Sequence, residues 1–397
     1  MFTSLKRVTY LVADLPKARD WYCKLLNSQP VFDAPFAAIF AVADCALWLV
    51  PSPVAAGNSD ERVIAWWGVE DIDDAYRRLL DLGATSRREM STQADVLSAS
   101  VVDPFGNAIG IVCKSKDPQK RSVENQPSES AYNVTLCRAM AAREDGDGVR
   151  GPDHLAEIFL SDDTRRILED RASREHIKTM VTPELYGFLH ARTVWLDGVF
   201  QRALDEGTPQ IVFLGAGYDS RAFRFADRLG STRVFELDAP STQQRKLAQL
   251  QKAGMTIPPQ LTFAATNFKS DSLEEVLTRS GFDARKRTLF IWEGVIYYLP
   301  AEAVSETLRF VASHSPAGSR LCFDYMPEAR TAVYAGEPFL FFLEEDRTES
   351  FLKEHGFQIE EHSAPPEIAR RYNTLPDGSS AGGVRLSINF VCARVVK

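Results

Sequence analysis

The apolar positions of the C-terminal two thirds of the chain form short runs separated by segments with a helical period. Four of these runs are "IVFL" (211–214), "VFEL" (234–237), "LTFAA" (261–265) and "LFIW" (289–292). Short, largely apolar runs are typical of buried strands, and apolar residues three or four apart are typical of helices. Their alternation predicts a parallel, doubly wound α/β sheet, with ligands beyond the carboxyl ends of the strands.

The first hundred residues show a different pattern that occurs twice. "RVTYLVADLPKARDWYCKLL" and "RVIAWWGVEDIDDAYRRLLDLGA" each predict a strand, an acidic residue and an amphipathic helix. Asp14 and Asp71 are suited to cap these helices. Short alternating segments follow each helix, so each half is predicted as βαβββ. The duplication predicts an α+β domain built from two such modules.

A polar segment, "KSKDPQKRSVENQPSES" (114–130), separates the two patterns. It contains two prolines and has no hydrophobic period, which is typical of a linker. The sequence therefore predicts an N-terminal domain over 1–115, a linker over 116–130 and a C-terminal domain over 131–397.

Charge and composition narrow the classes of partner. The formal net charge of the 397 residues is −8, which disfavours nucleic acid and anionic membrane surfaces. No apolar run approaches the roughly 20 residues that span a bilayer. The first residues lack the apolar core of a signal peptide. The six cysteines are scattered without a C-x-x-C pair, so we expect a cytoplasmic protein with reduced thiols.

The turn after "IVFL" is the first candidate site. Gly215 and Gly217 lack side chains where a ligand would approach the backbone. The phosphate-loop pattern is absent, and Ser220 stands where G-x-G-x-x-G needs its third glycine. Asp238 ends the next strand, and a carboxylate there can accept hydrogen bonds from both ribose hydroxyls. These residues predict a nucleoside site, and because the turn lacks a pyrophosphate-binding pattern, S-adenosylmethionine is favoured over NAD as the cofactor.

Four motifs resemble, in the same order, those of the leucine carboxyl methyltransferase family and its bacterial polyketide O-methyltransferase relatives, over residues 131–397. The motifs are "HARTVWLDGVF", "LGAGYDSRAFRF", "VFELDAP" and "WEGVIYYL". The resemblance implies a Rossmann-like class I methyltransferase domain with S-adenosyl-L-methionine as cofactor. It implies that Arg192 pairs with the methionine carboxylate, that Gly215 and Gly217 form the cofactor turn, that Asp238 binds the ribose and that Glu293 lies near the amino group.

Two points of this resemblance leave alternatives open. The family has Asp-Leu or Asp-Phe after its third strand, whereas this chain has Asn267 and Phe268. An amide can still hydrogen-bond adenine, and the phenyl ring can pack on it. Arg192 could instead form a helix-surface ion pair with Asp197.

The two N-terminal halves, with Asp-Leu-Pro early and "DPFGN" (103–107) late, resemble the vicinal oxygen chelate superfamily, which includes glyoxalase I, over residues 4–114. The family's metal-ligand positions fall at Arg7, Ile64 and Gly110, and none of these can bind a divalent cation. We therefore expect no metal site. The domain could be a ligand-binding cup, a dimerisation module or a degenerate scaffold. Four aromatic residues could line the cup or simply pack in the core: Phe36, Trp48, Trp66 and Trp67.

Methyl transfer from a sulfonium requires an in-line nucleophile, and only a hydroxyl acceptor needs a base. The sequence shows no compelling base, because His190, His314, His355 and His362 are scattered. This favours a carboxylate acceptor. Tyr297 and Tyr298 are the predicted acceptor-orienting residues, with a core tyrosine as the alternative. Residues 131–190 and 325–347 are expected to determine acceptor specificity.

The leading hypothesis is an S-adenosylmethionine-dependent O-methyltransferase acting on a carboxylate or hydroxyl of a small or carrier-bound metabolite. Its metal-free N-terminal domain would aid substrate binding or assembly. The main alternative is a bifunctional enzyme whose N-terminal domain has isomerase, dioxygenase or ligand-sequestering activity. A third is a non-catalytic binding protein. The expected partner is a small molecule, with a homodimer as a further option.

Overall fold

The chain forms two compact units, Met1–Pro118 and Gln119–Lys397, in a computed structural model. The described residues are 7–34, 37–42, 45–51, 65–93, 96–114, 127–144, 150–181, 183–268, 271–328, 333–334, 337–373 and 388–396. The division between the units falls inside the predicted linker. Among the described residues, none of the helices combines the length and apolar character that crossing a bilayer requires.

The first unit contains two modules of identical topology. The first consists of β1 (Arg7–Val12), α1 (Leu15–Leu26), β2 (Phe32–Ala34), β3 (Ala37–Val42) and β4 (Cys45–Pro51). The second consists of β5 (Ala65–Gly68), α2 (Ile72–Asp81), β6 (Thr85–Gln93), β7 (Val96–Val102) and β8 (Ala108–Lys114). The strand orders β1-β4-β3-β2 and β5-β8-β7-β6 correspond position by position, which confirms the predicted βαβββ duplication.

The two modules share one hydrophobic core and are joined by a hydrogen bond, while each module caps its own helix. The side chains of Asp14 and Asp71 accept hydrogen bonds from the first turns of α1 and α2, as predicted. The Tyr22 hydroxyl of α1 donates to Asp103 at 2.7 Å. Asp103 in turn accepts the backbone N–H groups of Phe105 and Asn107. The "DPFGN" turn of the second module is therefore fixed against the first helix.

The second unit is built on a seven-stranded sheet. Its strands are β9 (Gln210–Leu214), β10 (Arg233–Asp238), β11 (Leu261–Ala265), β12 (Thr288–Trp292), β13 (Arg320–Tyr325), β16 (Phe357–Ser363) and β17 (Asn389–Val395), and β14 (Val333–Tyr334) pairs separately with β15 (Glu337–Pro338). The order is β11-β10-β9-β12-β13-β17-β16, with β17 antiparallel to both neighbours. All five residues of β9 and of β12 are buried, as expected of central strands covered on both faces.

Helices precede the sheet and alternate with its strands. They are α3 (Glu129–Ala142), α4 (Asp162–Glu169), α5 (Arg171–Val181), α6 (Pro183–Asp205), α7 (Arg221–Arg224), α8 (Pro240–Lys252), α9 (Leu273–Arg279), α10 (Ala301–Ser313), α11 (Thr348–Glu354) and α12 (Pro365–Tyr372). The predicted doubly wound, Rossmann-like α/β class is confirmed. Trp195 of α6 stacks on Phe390 of β17, with ring centroids 4.5 Å apart, so this long helix packs directly on the sheet.

Two boundaries differ from the expectation. α3 begins at Glu129, because Ser128 caps it and also donates its backbone N–H to Thr242 at 3.0 Å. Residues 128–130, assigned to the linker from the sequence, therefore belong to the second unit. The pattern of "RAFRFADRLG" after the glycine turn predicts a helix, but the segment forms a single helical turn, followed by a 3₁₀ turn at Ala226–Arg228.

Candidate functional site

The order of the strands reverses between β9 and β12, which lie side by side. Open α/β sheets bind ligands at such a point, outside the carboxyl ends of the strands. We call the ends of β9–β13 marked by Leu214, Asp238, Ala265, Trp292 and Tyr325 the carboxyl edge. The sequence-predicted turn and Glu293 both follow directly from strands at this reversal.

The Gly215–Gly217 turn needs glycine for conformation and for space. Gly215 and Gly217 have φ values of +80° and +52°, a region that side chains disfavour. A Cβ on Gly215 would lie 2.6 Å from the Val295 side chain, in the turn that follows β12. The N–H groups of Gly215 and Ala216 both donate to the Leu237 carbonyl, at 3.0 and 2.9 Å. The turn after β9 and the turn after β12 are therefore in close contact at the carboxyl edge.

Asp238 lies beside this turn, as the sequence predicted. Its carboxylate accepts the Gly217 N–H at 2.5 Å and the Ala239 N–H at 2.8 Å. Burial raises the pKa of Asp238 more than these hydrogen bonds lower it. Each carboxylate oxygen has a second lone pair, and the side chain is partly exposed. The carboxylate can therefore hold the glycine turn and accept further hydrogen bonds from a ligand.

Arg192 of α6 points into the same region and is 3% exposed. Its Nη1 donates to Asp324 at 2.8 Å, and its Nε lies 3.1 Å from Glu293 Oε1, an ion-pair distance without hydrogen-bond geometry. The alternative partner, Asp197, instead pairs with Arg221 and Arg224. Burial alone would lower the pKa of Arg192, but the charges of Asp324 and Glu293 raise it.

Arg192 belongs to a larger buried network, which we call the carboxyl-edge network. Its members are Arg138, Arg192, Arg221, Arg224, Asp153, Asp197, Asp219, Glu293 and Asp324. Eight of them form an unbroken chain of alternating sign that runs from Arg138 to Asp324, and Asp219 branches from Arg221. Every one of these side chains is at most 13% exposed. Burial on this scale is tolerated because each charge has an opposite neighbour.

The network carries one formal negative charge, since five carboxylates face four guanidinium groups. Burial alone would raise the pKa of Glu293, but the guanidinium groups of Arg221 and Arg192 lower it to about 2. Several donors lack a hydrogen-bond partner among the described residues: Arg138 Nε, Arg192 Nε and Arg221 Nη2. Buried donors without acceptors are costly, so these guanidinium groups can still donate to a carboxylate, whereas the excess negative charge of the network as a whole favours a ligand of net positive charge.

The remaining predicted residues divide into two groups. Asn267 and Phe268 follow β11, and the N–H of neighbouring Thr266 donates to the Asp238 carbonyl at 2.9 Å, so both lie along the carboxyl edge. Tyr297 is buried, with its hydroxyl 3.3 Å from Arg192 Nη1. Tyr298 is partly exposed, and its ring stacks on Phe339. The two adjacent tyrosines therefore have different surroundings.

The four scattered histidines do not join the network. His314 stacks on Phe310, His355 contacts the Phe351 carbonyl, and His362 hydrogen-bonds Tyr325 at 2.9 Å. His190 is buried on α6, and neither ring nitrogen has a hydrogen-bond partner within the described part of the chain. Burial lowers its pKa.

Sequence reasoning missed most of the network. Arg138 and Asp324 each interrupt an apolar segment, "TLCRAMAA" and "LCFDYM". A charged residue inside such a run is a signal, because charged side chains are rarely buried without a partner. In the sequence, Asp219 and Arg221 indicate only the cap and the first turn of a helix. Asp219 does accept the Arg221 N–H, but Arg221 also reaches Glu293 at 2.9 Å.

A cavity of about 220 Å³ lies at the opposite, amino edge of the sheet. Thr208, Thr288 and Gly318 mark this edge, and the charged lining residues are Arg202, Glu206, Arg287, Arg320, Glu360 and Glu361. It lies at the opposite end of the sheet from the predicted residues. We assign the site to the carboxyl edge, because the charges there are desolvated and have unsatisfied donors.

The first unit offers an aromatic surface at the position of a family metal ligand. Trp66 is 45% exposed and covers Gly110, where a Cβ would lie 2.5 Å from the indole. Trp48 and Trp67 are partly buried. Phe36, Ile64 and the Arg7 side chain lie outside the described residues. The described residues contain no group of three or more His, Cys, Asp or Glu side chains that could hold a metal ion.

Comparison with known proteins gives two family matches. Residues 131–312 match the Leucine carboxyl methyltransferase family, and residues 4–111 match the Glyoxalase/Bleomycin resistance protein/Dioxygenase superfamily. The "Putative S-adenosyl-L-methionine-dependent methyltransferase YktD" of Bacillus subtilis (strain 168) is 33% identical over 193 residues, which cover 45% of this chain and 63% of that protein. The chain thus spans less than two thirds of this relative.

A second relative is covered more fully. A "Putative S-adenosyl-L-methionine-dependent methyltransferase" of Mycolicibacterium smegmatis is 30% identical over 226 residues, which cover 54% of this chain and 75% of that protein. Among solved structures, the glycopeptide N-methyltransferase MtfA is similar with a TM-score of 0.33 and 16% identity, covering 51% of this chain and 95% of that one.

Proposed function

The chain belongs to the leucine carboxyl methyltransferase family, and on that premise we propose that it is an S-adenosylmethionine-dependent methyltransferase that methylates an oxygen atom of a small molecule. The carboxyl-edge network is the observation that carries this proposal. It joins Arg192 and Glu293 through direct contact, and at its Arg138 end it donates to the carbonyl of Tyr218, which directly follows the Gly215–Gly217 turn.

The described residues fit the cofactor by charge and by hydrogen-bonding capacity. S-Adenosylmethionine carries a sulfonium, an ammonium and a carboxylate, so its net charge of about +1 complements the single excess negative charge of the network. Arg192 would meet the carboxylate, and Glu293 would meet the ammonium. Asp238 would accept the ribose hydroxyls, with Asn267 and Phe268 beside the adenine. When bound, the cofactor supplies a methyl group activated by a sulfonium.

A carboxylate acceptor is favoured over a hydroxyl. The protein must hold an anionic oxygen in line with the methyl group, and a carboxylate is already anionic at neutral pH. A hydroxyl would need a nearby base. Glu293 is paired with two arginines, and none of the described histidine side chains bonds to the network. A carboxylate acceptor gives a methyl ester, which alkali hydrolyses to methanol. An alkali-stable methylated product would contradict this part of the proposal.

Calorimetric titration with S-adenosylmethionine tests the site. Gly215→Ala should weaken binding at least about tenfold, because a side chain there strains the backbone and collides with Val295. Gly230→Ala is the matched control, since Gly230 also has a positive φ but open space around it. Asp238→Asn should also weaken binding about tenfold, as loss of a charged partner does. Absence of binding to the unmodified protein would refute the proposal.

For the first unit, the proposal is a metal-free module that aids substrate binding or assembly. The covering of Gly110 by Trp66 supports it, because an indole occupies the space above the position of a family metal ligand. Elemental analysis of the purified full-length chain is the test. One tightly bound divalent ion per chain would instead favour the bifunctional alternative.

A further inference from the structure

Two apolar segments lie at the carboxyl edge of the seven-stranded sheet. "VIYYL" (295–299) follows β12, and "FLFFL" (339–343) follows β15. None of these ten residues is charged, although connecting segments are normally polar. Leu340 and Phe342 are 51% and 46% exposed. Exposed apolar side chains grouped in this way mark a surface that binds something.

Backbone hydrogen bonds join the two segments. The N–H groups of Leu340 and Phe341 donate to the Tyr297 carbonyl at 2.7 and 3.2 Å, and the Leu343 N–H donates to the Met326 carbonyl at 2.9 Å. Tyr297 lies beyond β12, and Met326 directly follows β13. "FLFFL" is therefore fixed across the ends of two adjacent central strands.

An aromatic cluster connects these segments to the carboxyl-edge network. The Tyr298 and Phe339 rings are 5.4 Å apart and stacked, and Tyr297 meets both edge-on at 4.8 and 5.6 Å. The Tyr297 hydroxyl is 3.3 Å from Arg192 Nη1. The cluster thus begins at the network and extends outward through Tyr298 and Phe339 to the exposed Leu340.

We infer that Tyr298 and Phe339 form the wall of the acceptor site, and that the acceptor carries its oxygen on a flat, apolar body. This inference rests on the proposed function and names its substrate class. Stacked aromatic walls favour planar apolar partners, and the ten residues of the two apolar segments offer no charge to a polar acceptor. A small molecule fits better than a second copy of the chain, because the wall is continuous with the network that would hold the cofactor.

The test measures binding of 2-naphthoate, a flat carboxylate, to the full-length chain saturated with S-adenosylhomocysteine. Decanoate serves as the flexible apolar carboxylate for comparison. We expect naphthoate to bind at least tenfold more tightly than decanoate. Tyr298→Leu and Phe339→Leu, which keep apolar volume, should weaken naphthoate binding at least fivefold and leave S-adenosylhomocysteine affinity within twofold. Ile257→Ala, an exposed apolar residue elsewhere on this unit, should change neither affinity.

Four results would overturn the inference. Naphthoate could fail to bind the loaded protein, or decanoate could bind equally well. The two leucine variants could leave naphthoate binding unchanged. Finally, Phe342→Glu could convert a dimer to monomers without affecting naphthoate, which would assign the surface to self-association. Failure of the proposed function is separate, because S-adenosylhomocysteine itself would then not bind the unmodified chain.

Discussion

The two edges of the seven-stranded sheet carry similar charges in different surroundings. At the carboxyl edge, four arginines and five carboxylates are at most 13% exposed. At the amino edge, three arginines and three glutamates line an open cavity. There Arg320 pairs with Glu206 and Glu360, and all three side chains are 32–41% exposed. The cavity lies at the amino edge, whereas the desolvated charges lie at the carboxyl edge.

The difference shows that burial, rather than the number of charges, prepares a site for a charged ligand. Water screens the pairs at the amino edge, so each contributes little. At the carboxyl edge the charges are strongly coupled and held in fixed positions, because each is buried against one or more charges of opposite sign. Preorganised charges of this kind bind a charged cofactor without further reorganisation.

The largest expected contrast comes from removing one arginine at each edge. Arg221→Met leaves Asp197, Asp219 and Glu293 short of a cation, so it should lower the free energy of unfolding by about 3–5 kcal/mol. Arg320→Met at the amino edge should cost about 1 kcal/mol or less. Urea denaturation of the full chain measures both free-energy changes, from the unfolding transition of the second unit, which contains Arg221 and Arg320. Equal costs would show that the two edges do not differ energetically.

The next contrast is the dependence of the unfolding free energy on acid pH at the two edges. The folded-state pKa of Glu293 is lowered from 4.5 to about 2. Its contribution to stability is therefore complete above about pH 4.5 and is lost as the pH falls toward 2, because the unfolded chain takes up the proton first. The lowering corresponds to about 3 kcal/mol. The difference in unfolding free energy between the unmodified chain and Glu293→Gln should shrink across this range.

Glu360→Gln at the amino edge is the control for this titration. Because the Glu360 side chain is 32% exposed and paired at the surface, its effect should stay below about 1 kcal/mol at every pH. If the difference in unfolding free energy between the unmodified chain and Glu293→Gln stayed constant from pH 5 to pH 2, the charge of Glu293 would not be the source of its contribution to stability.

The smallest effect is expected at Tyr297. Its hydroxyl makes long contacts of 3.3 Å to Arg192 and 3.4 Å to Asp324, and both charges have stronger partners. Tyr297→Phe should therefore weaken S-adenosylmethionine binding by less than about 1 kcal/mol, measured by calorimetry. Once an acceptor is known, a loss of turnover of about a hundredfold or more would restore the catalytic role that the sequence suggested for this residue.

Much of the fold could be predicted because its signals are local. The apolar runs ending at Leu214, Leu237 and Trp292 became central strands, since a strand buried on both faces needs a continuous apolar run. The duplicated modules were visible through Asp14 and Asp71, which occur at the same point of each repeat and cap their own helices.

The candidate site could be predicted only in part. The position of Asp238 beside the glycine turn follows from strand order, because the ends of adjacent parallel strands meet at one edge. The partners of Arg192 could not be predicted, since Asp324 lies 132 positions away and nothing local distinguishes it from Asp197. Tyr297 and Tyr298 look equivalent in the sequence, and it takes the tertiary structure to show that Tyr297 contacts Arg192.

The sequence by itself determined which segments are strands and helices and which turn lacks side chains. These features depend on periodicity, on glycine and on capping residues, all of which act over a few positions. The tertiary structure decided which charges are buried together, that Glu293 lies between two arginines, and that two apolar segments meet beside them. These outcomes depend on contacts between elements distant in the chain, where packing and desolvation set the energy of each charge.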